Sequence, residues 1–365
     1  MNRKFFQLLF ACVASLVATN QFASAQFFFT GPSGGDFFDE SNWNTQADGL
    51  GTAPVGDPLV DSASNAISID LIIDGDTVEA AGQVDFGTGS LTLQSGSMLS
   101  ITGAGHDFDI NSDSTFSLTD STIEVNDVIS FEGISLFSGG TITSITDDIT
   151  FQNDFINLTI DGTTFNAQDT VYFDGPTPGS ITNATFNVTD QFGLRDDGSG
   201  VAEVVMIDSM IDIDANGSTS GGDIQNVFSG DAIGSSLTLL GASTLRADGV
   251  EEGADLILGG TTTATLGVHF SERVTDAGST ITLTTTGAEL NIVALDSGDV
   301  DYVDPRPFLI NGITGLDYAT DPTTWNVSNW DGSSAVSLQI IPEPTAIALA
   351  LGCMALAFSP RARRD

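Results

Sequence analysis

The segment 212–223 places oxygen-bearing side chains at the spacing of a calcium-binding loop. Acidic and polar residues alternate and Gly217 follows them, so carboxylate and amide oxygens share one side of the chain before a sharp turn. Asp closes the loop where Glu is usual, and Thr219 stands where an apolar residue is usual. A solvated corner without metal is therefore the alternative. The predicted calcium ligands are Asp212, Asp214, Asn216, Ser218 and Asp223.

Catalytic residues are harder to identify. A glycosidase needs two carboxylates ~5–9.5 Å apart across one cleft. The pairs Asp196/Asp197 and Asp208/Asp212 qualify by residue type, but 49 acidic residues bring such pairs together by chance. A polyuronate lyase needs clustered cations and a basic side chain, and the arginines here are dispersed. The sequence therefore predicts a protein that is not an enzyme. The alternative is a glycosidase or lyase that acts on polysaccharide.

The charge balance narrows the range of partners. The chain has 49 acidic and 9 basic residues, and segment 26–341 keeps 47 of the former and 4 of the latter. Nucleic acid and anionic lipid need clustered Lys and Arg, so neither is a predicted partner. Both cysteines, Cys12 and Cys353, lie outside this segment, which excludes disulfides and cysteine-bound metals from it. Apart from calcium, no cofactor is predicted.

The first 25 residues have the three parts of a secretory signal peptide. A basic start precedes an apolar run (5–17), and the small residues Ala23 and Ala25 precede Gln26. The run is shorter than the ~20 residues of a membrane span, which favours cleavage before Gln26 over a permanent anchor. The protein is therefore expected to be secreted.

The chain ends in a Pro-Glu-Pro triplet, an apolar segment and an arginine cluster, in that order. The triplet is Pro342, Glu343 and Pro344, and the cluster is Arg361, Arg363 and Arg364. This order resembles the PEP-CTERM family of bacterial sorting signals. The resemblance implies that an exosortase, a membrane enzyme, recognises the triplet and processes the tail, so that these residues serve recognition and not catalysis.

The apolar segment of this tail predicts transient membrane insertion, with the arginines retained on the cytoplasmic side. An ordinary C-terminal membrane anchor is the alternative, although the segment is short for one. The expected location is the cell surface or the extracellular space, with membrane association before processing.

The segment between the two signals repeats every 21 residues. Short runs rich in Ile, Val, Phe and Thr begin at Asp127, Asp148, Asp169 and Asp190. Gly, Asp, Asn and Ser separate the runs, which is a pattern of strands and turns. A period near 20 with three short strands per turn is typical of a parallel β-solenoid, and its constancy argues against antiparallel sandwiches. Roughly ten coils are expected from the length of the repeat region.

An apolar residue precedes these aspartates by four positions in three repeats. These residues are Ile123, Phe165 and Phe186, and in the remaining repeat the pattern slips by one to Ile145. Inward positions are expected to hold Ile, Val, Leu and Phe, whereas Asp and Asn suit the corners because they tolerate left-handed backbone angles. The rows Thr261–Thr263 and Thr284–Thr286 suggest ice binding, but they fall in predicted turns.

The start of the solenoid carries an Asn-Trp pair at Trp43, a proline turn at 53–58 and an Ile-Asp-Gly strand near Gly75. This succession resembles the start of autotransporter-like and PEP-CTERM β-helix proteins, which implies that the aromatic segment is an N-terminal cap. Trp325 and Trp330 are expected to close the other end.

The predicted fold is all-β: a right-handed parallel β-solenoid with an aromatic cap and a short C-terminal hydrophobic helix. The predicted organisation is a signal peptide (1–25), an N-terminal cap (26–64), solenoid repeats (65–300), closing strands (301–341) and a sorting signal (342–365). The predicted function is that of an exported structural or interaction protein of the cell surface or matrix, sorted through its tail and associated with exopolysaccharide or biofilm.

Overall fold

The computed structural model is almost entirely β-strand, wound into a parallel solenoid. One 3-10 turn, Glu40–Asn42, is the helical element among the residues described. The predicted all-β solenoid is therefore confirmed. The structure describes residues 25–55, 59, 66–152, 158–175, 179–195, 201–213, 223–226, 235–247, 250–251, 254–268, 280–294, 309–310, 313–314, 325–328 and 335–340.

Three sheets form the three sides of the solenoid. Sheet A contains, in spatial order, β3 (Trp43–Asn44), β1 (Gln26–Phe29), β4 (Asp70–Asp74), β7 (Ser90–Gln94), β10 (Thr115–Thr119), β13 (Ile134–Ser138), β16 (Thr159–Asp161), β19 (Ser180–Thr182), β22 (Glu203–Ile207), β25 (Ser236–Leu240), β28 (Asp255–Leu258), β30 (Thr280–Leu283), β32 (Leu309–Ile310) and β33 (Ile313–Thr314).

Sheet B lies on the second side. Its strands are β2 (Gly35–Asp36), β5 (Thr77–Ala80), β8 (Met98–Ile101), β11 (Thr122–Val125), β14 (Thr141–Ser144), β17 (Thr164–Ala167), β20 (Thr185–Val188), β23 (Met210–Ile213), β26 (Thr244–Ala247), β29 (Thr263–Val268), β31 (Glu289–Ala294), β35 (Ala335–Ile340) and β34 (Trp325–Ser328).

Sheet C lies on the third side and has the fewest described strands. They are β6 (Val84–Phe86), β9 (Phe108–Ile110), β12 (Ile129–Phe131), β15 (Ile149–Phe151), β18 (Val171–Asp174), β21 (Gln191–Arg195), β24 (Asp223–Asn226) and β27 (Val250–Glu251).

The chain visits the sheets in the constant order A, B, C. Starting from β4, β5 and β6, eight coils contribute a strand to all three sheets, and two further coils have described strands in sheets A and B. Each strand pairs in parallel with its equivalents one coil before and one coil after, as β11 does with β8 and β14. The eight complete coils, at ~4.8 Å per step, make the core of a rod.

The core is built from strand positions that point inward at every second residue. In sheet A, β7 buries Leu91 and Leu93; in sheet B, β8 buries Leu99 and Ile101. Side chains on one strand alternate between the two faces, so parallel pairing in register stacks each apolar residue on an apolar residue of the next coil. The result is one continuous apolar core along the rod.

Phenylalanine dominates the middle of this core. Phe151 stacks on Phe173 with ring centroids 4.6 Å apart, and Phe165 stacks on Phe186 at 4.9 Å. Edge-to-face contacts join the stacks, for example between Phe151 and Phe165 at 5.5 Å. Aromatic pairs contribute ~0.5–1.5 kcal/mol beyond the area they bury, so the coils are coupled where these rings meet.

The corner between sheets A and B turns through a left-handed residue in successive coils. Asp120 (φ 47°), Asn183 (φ 52°) and Asp208 (φ 51°) occupy this place in three coils, and glycine occupies it in others. Gly140 (φ 83°) has no room for a side chain, because a Cβ atom would lie 2.1 Å from the carbonyl oxygen of Ser121. The expectation that Asp and Asn suit the corners is confirmed.

Buried serine hydroxyls form hydrogen bonds between successive coils at the same corner. The Ser243 Oγ accepts the backbone N–H of Ser209 at 3.0 Å, and the Ser209 Oγ accepts that of Ala184 at 3.2 Å. Ser97 repeats the arrangement by accepting the N–H of Gly75 at 2.9 Å. Each hydroxyl thus satisfies a backbone donor of the preceding coil, which a buried turn would otherwise leave without a partner.

The N-terminal end of the rod is closed by an aromatic cluster. Trp43 is fully buried and lies edge-on to Phe29 and Phe37, with centroids 5.4 Å apart in both pairs. Its indole N–H donates to the carbonyl of Phe37 at 2.8 Å. The strand β1 stacks on the first coil through β4, and β3 pairs with β1 in the antiparallel sense, which ends the parallel series. The predicted aromatic cap is confirmed.

The C-terminal end also changes to antiparallel pairing. Strand β35 pairs antiparallel with β31, and β34 pairs antiparallel with β35. Trp325, expected to close this end, is the first residue of β34, the outermost strand of sheet B. Trp330 lies outside the described residues.

The repeat register corrects one part of the sequence interpretation. The inward residue that stacks with Ile123 and Phe165 is Ile142, and Ile145 is 42% exposed. The turn between β14 and β15 holds four residues, whereas the turns before β12 and β18 hold three. Ile145 directly follows β14 and aligns with the turn residues Asn126 and Gln168, so it lies outside the stack. The period of 21 is an average of coils of unequal length.

The two predicted terminal signals lie almost entirely outside the described residues. The predicted C-terminal hydrophobic helix, Ala23, and the triplet and arginine cluster of the tail are not among the described residues. Ala25 is exposed, and Gln26 begins β1. In the described part of the chain, no helix combines the length and apolar character needed to cross a membrane.

Replacement of Phe151 by Ala should destabilise the rod by about 3–5 kcal/mol, because it leaves a cavity between aromatic neighbours in adjacent coils. Urea unfolding followed by circular dichroism measures the loss. Leu136→Ala is the control, since Leu136 points outward from sheet A and is 42% exposed, and it should cost less than ~1 kcal/mol. Equal losses in the two variants would contradict the stacked core.

Candidate functional site

The corner between sheets B and C gathers carboxylates from four consecutive coils. Asp127 lies between β11 and β12, Asp147 and Asp148 between β14 and β15, and Asp169 between β17 and β18. Asp190 follows β20 in the next coil. These five residues are called the acidic column below. Coil-on-coil stacking brings them together although successive coils set them about 20 residues apart in sequence.

The register of this column differs from the sequence repeat. The sheet C strands pair Ile129 with Ile149 and Ile149 with Val171, so the residues two positions earlier, Asp127, Asp147 and Asp169, are equivalent. The 21-residue repeat had matched Asp148 to these positions. This coil has two adjacent carboxylates because Asp148 stands where the neighbouring coils have Val128 and Thr170.

Backbone and side-chain hydrogen bonds hold the acidic column in place. The N–H of Asp190 donates to the carbonyl of Asp169 at 3.1 Å. Asp148 accepts the N–H of Thr170 at 2.9 Å through Oδ1, and Asp147 accepts the N–H of Asp148 at the same distance. The positions of the carboxylates are therefore fixed by the coils that carry them.

Burial, with repulsion from neighbouring carboxylates, raises the pKa values of three residues of the column. Burial raises the pKa of Asp148 to about 6, and the charges of Asp169 and Asp147 add to the effect. Burial also raises the pKa of Asp127, with a hydrogen bond and charge repulsion from Asp147, and that of Asp190, with repulsion from Asp169. Such a column binds protons or cations more readily than isolated surface aspartates do.

One part of the column has the geometry to hold a cation. Carboxylate oxygens of Asp147, Asp148 and Asp169 lie within 4.8 Å of one another. Oxygen ligands of this kind suit the hard cations Ca²⁺ and Mg²⁺. The sequence repeat pointed to Asp148 and Asp169 as corner residues, but it did not mark the corner as the place where three carboxylates meet.

The predicted calcium loop is only partly within the described chain. Asp212 lies on the outward face of β23, where its Oδ1 is 3.3 Å from the Arg246 guanidinium of the next coil. Asp223 begins β24. Asp214, Asn216 and Ser218 lie outside the described residues, so the ligand set as a whole stays a prediction.

A polar cleft of about 540 Å³ lies beside the acidic column, along the end of the sheet B strands. Its lining comes from the last two residues of β14 and β17, the penultimate residues of β20 and β23, and the residues that directly follow β14, β17 and β20. The cleft is lined by Thr143, Ser144, Ile145, Asn166, Ala167, Gln168, Asn187, Thr189 and Asp212.

Two stacked asparagines form the centre of the cleft. The Asn187 side-chain amide donates to Oδ1 of Asn166 at 2.8 Å, and the Asn166 amide donates to the hydroxyl of Thr143 at 3.1 Å. All three residues point outward from equivalent positions of β20, β17 and β14. The parallel register therefore produces a ladder of amide and hydroxyl groups directed along the rod.

A threonine column runs parallel to this ladder, two residues earlier on the same strands. Register pairing places Thr122, Thr141, Thr164 and Thr185 directly above one another. The sequence interpretation considered the threonine rows near Thr261 and Thr284 and missed this column. The structure places most residues of those two rows outside strands. The four strand sequences TIEV, TITS, TFNA and TFNV would have revealed it, because each begins with Thr and continues with an alternating polar residue.

Sheet C carries a second group of carboxylates on its outward face. Asp85 and Asp109 are register partners in β6 and β9, and Glu132 follows β12. Burial raises the pKa of Asp109 to about 6, although the side-chain amide of Gln83 donates to it at 2.9 Å. Burial likewise raises the pKa values of Asp85 and Glu132.

The one described pair of catalytic candidates, Asp208 and Asp212, is divided between two parts of the coil. Asp208 accepts the N–H of Ala242 at 2.7 Å in the A–B corner, whereas Asp212 faces Arg246 on sheet B. Arg195 lies 3.5 Å from Asp174, with its guanidinium over the Tyr172 ring at 4.1 Å. Asp196 and Asp197 lie outside the described residues.

Comparison of the chain with protein-family models, with curated proteins and with solved structures finds no match in any of the three. The site must therefore be interpreted from its own geometry.

The raised pKa values predict that the protein is more stable at pH 5 than at pH 8. Asp109 and Asp148 have pKa values of about 6 in the fold, above the ~3.9 of an unfolded aspartate, so their contribution to stability is complete below that value and is lost as the pH rises through 6. Thermal unfolding at a series of pH values should show a melting temperature that falls by several degrees over this range.

The double variant Asp109→Asn/Asp148→Asn should flatten this pH dependence and raise the melting temperature at pH 8. The single variant Asp113→Asn, which neutralises an exposed carboxylate in a turn, is the control and should leave the slope unchanged. An equally steep slope in the double variant would contradict the assignment.

Divalent cations should raise the melting temperature more than sodium at equal ionic strength, because they neutralise neighbouring carboxylates of the acidic column. At a cation concentration of about ten times the dissociation constant, binding adds about 1.4 kcal/mol, which is a few degrees in melting temperature. Calcium chloride titrations with and without chelator measure the shift.

The variant Asp147→Asn/Asp169→Asn should lose most of the calcium-specific shift. Asp74→Asn/Asp113→Asn removes the same charge from exposed positions elsewhere and should keep it. A calcium shift no larger than the sodium shift would show that the column binds no cation.

Proposed function

We propose that the chain is an exported structural and interaction protein of the cell surface or extracellular matrix, where it associates with exopolysaccharide. The observation that carries the proposal is the regular outward surface of the rod. Equivalent positions of neighbouring coils repeat hydroxyl and amide side chains at ~4.8 Å, as the threonine column and the asparagine ladder do. A repeating surface of this kind offers a polymer many equivalent hydrogen-bonding positions.

The charge of the rod supports a role outside the cytoplasm among neutral or cation-rich material. Segment 26–341 carries 47 acidic and 4 basic residues, and self-repulsion between such rods keeps them soluble and apart. Calcium is part of the proposal as a bridging or stabilising ion. The close oxygens of Asp147, Asp148 and Asp169 support it, and the loop that begins at Asp212 is the second candidate.

Binding is favoured over cleavage of polysaccharide by the groups that line the cleft. Asp212 is the one carboxylate among the described residues of the lining, and it is engaged by Arg246. A glycosidase needs a second carboxylate across the substrate, one acting as acid and the other as base or nucleophile. The lining residues otherwise offer amides, hydroxyls and aliphatic groups.

The two terminal signals belong to the same proposal. In it, residues 1–25 direct secretion, and an exosortase-type enzyme recognises Pro342, Glu343 and Pro344, with Arg361, Arg363 and Arg364 retained on the cytoplasmic side. The positions of the strands support this division. Strand β1 begins at Gln26 and β35 ends at Ile340, so processing at both sites leaves every described strand intact.

Cell fractionation of full-length protein and of a form without residues 342–365 tests the sorting step. An epitope inserted beside Leu50, which is 81% exposed, survives removal of both ends. The full-length protein should accumulate at the surface or in the matrix fraction after passing through the membrane, whereas the shortened form should be released without that stage. Identical distribution of the two forms would show that the tail has no sorting role.

A point variant sharpens this test. Replacing Pro342, Glu343 and Pro344 by Ala should reproduce the effect of the deletion while keeping the apolar segment and the arginines. Thr345→Ala, at the neighbouring residue, is the matched control and should behave like the natural protein.

A further inference from the structure

The polar cleft follows the long axis of the solenoid. Its lining residues Thr143, Asn166, Asn187 and Asp212 come from equivalent positions of four successive coils. Three coil steps of ~4.8 Å give this row a length of about 14 Å. A ligand that fills the cleft is therefore elongated and lies across the strands, along the rod.

The hydrogen-bonding groups of the cleft match a polyhydroxylated chain. Each asparagine amide has two hydrogens, and the ladder uses one from Asn187 and one from Asn166. An amide also offers an oxygen acceptor, so it can both donate to and accept from a sugar hydroxyl. Gln168, which directly follows β17, supplies a third amide. This pair of donor and acceptor groups occurs in two successive coils, at Asn166 and Asn187.

The charges around the cleft select against an anionic ligand. Two lining residues of the cleft are each followed in sequence by a member of the acidic column: Asp169 follows Gln168, and Asp190 follows Thr189. The carboxylate of Asp212, at the end of the row, already has Arg246 as partner. A polyuronate strand would place its carboxylates beside this column, and the described residues of the lining include no cationic side chain to meet them.

We infer that the cleft on the end of sheet B is a binding site for a single strand of uncharged polysaccharide, aligned with the solenoid axis and held by the amides of Asn166 and Asn187. This inference rests on the proposed function and specifies its ligand. The threonine column, on the same face two residues away, extends the hydroxyl surface beside the strand.

The test uses the processed chain and two defined oligosaccharide series, uncharged β-glucan and oligogalacturonate, with isothermal titration calorimetry. The natural protein should bind the uncharged series, with affinity that rises with length until the strand spans the four coils. Asn166→Ala/Asn187→Ala should weaken this binding by about tenfold, because two hydrogen-bonding amides are lost. Thermal unfolding of each variant verifies that the coils remain folded.

The matched control is Gln94→Ala/Gln152→Ala, which removes two amides that lie outside the cleft. It should bind like the natural protein. Unchanged binding by the asparagine variant, or equal loss in the control, would overturn the cleft as the site. Equal or tighter binding of oligogalacturonate would overturn the charge argument.

Absence of binding to either series would also overturn the inference. That result leaves the proposed surface location to be judged by cell fractionation, which does not depend on the cleft. The two proposals therefore fail by different measurements.

Discussion

The parallel register between neighbouring coils is the constraint on which the structure depends. Because each strand pairs with its own equivalent one coil away, a residue type repeated in sequence becomes a column in space. Inside, this rule produces the phenylalanine stacks, such as Phe151 on Phe173. Outside, it produces the asparagine ladder and the acidic column. The same hydrogen bonds thus create both the stabilising and the destabilising contacts of the molecule.

The acidic column shows that stacking equivalent residues can also be unfavourable. Stacking brings like charges together at the B–C corner, and burial and repulsion raise the pKa of Asp148 to about 6. The core contacts beneath it, including the strands that bury Ile149 and Phe151, are strong enough to hold the corner in this arrangement. At the asparagine ladder the same spacing is favourable, since an amide can donate to the one below it.

The fold class could be predicted from the sequence because the coil is short and repeats. The alternation of apolar and polar residues predicted the strands, and the spacing of the corner aspartates predicted the length of a coil. The exact register could not be predicted, because coils of 20, 22 and 21 residues separate Ile129, Ile149, Val171 and Phe192. The coil from Ile129 to Ile149 is one residue shorter than the 21-residue period, so the repeat matched Asp148 where the register places Asp147. Ile145 directly follows β14 and lies outside the core. The polar cleft depends on this register across four coils, so it too could not be located.

The direction of the inter-coil hydrogen bonds has a mechanical consequence. They run along the rod, so tension applied between its two ends loads the bonds of the terminal coil before those of the next, and the coils peel away in turn. Each coil that opens releases about 20 residues, or roughly 70 Å of extended chain. The closing antiparallel strands and the aromatic cap are therefore the first parts of the rod to resist extension. The phenylalanine-rich middle coils are the last to unfold.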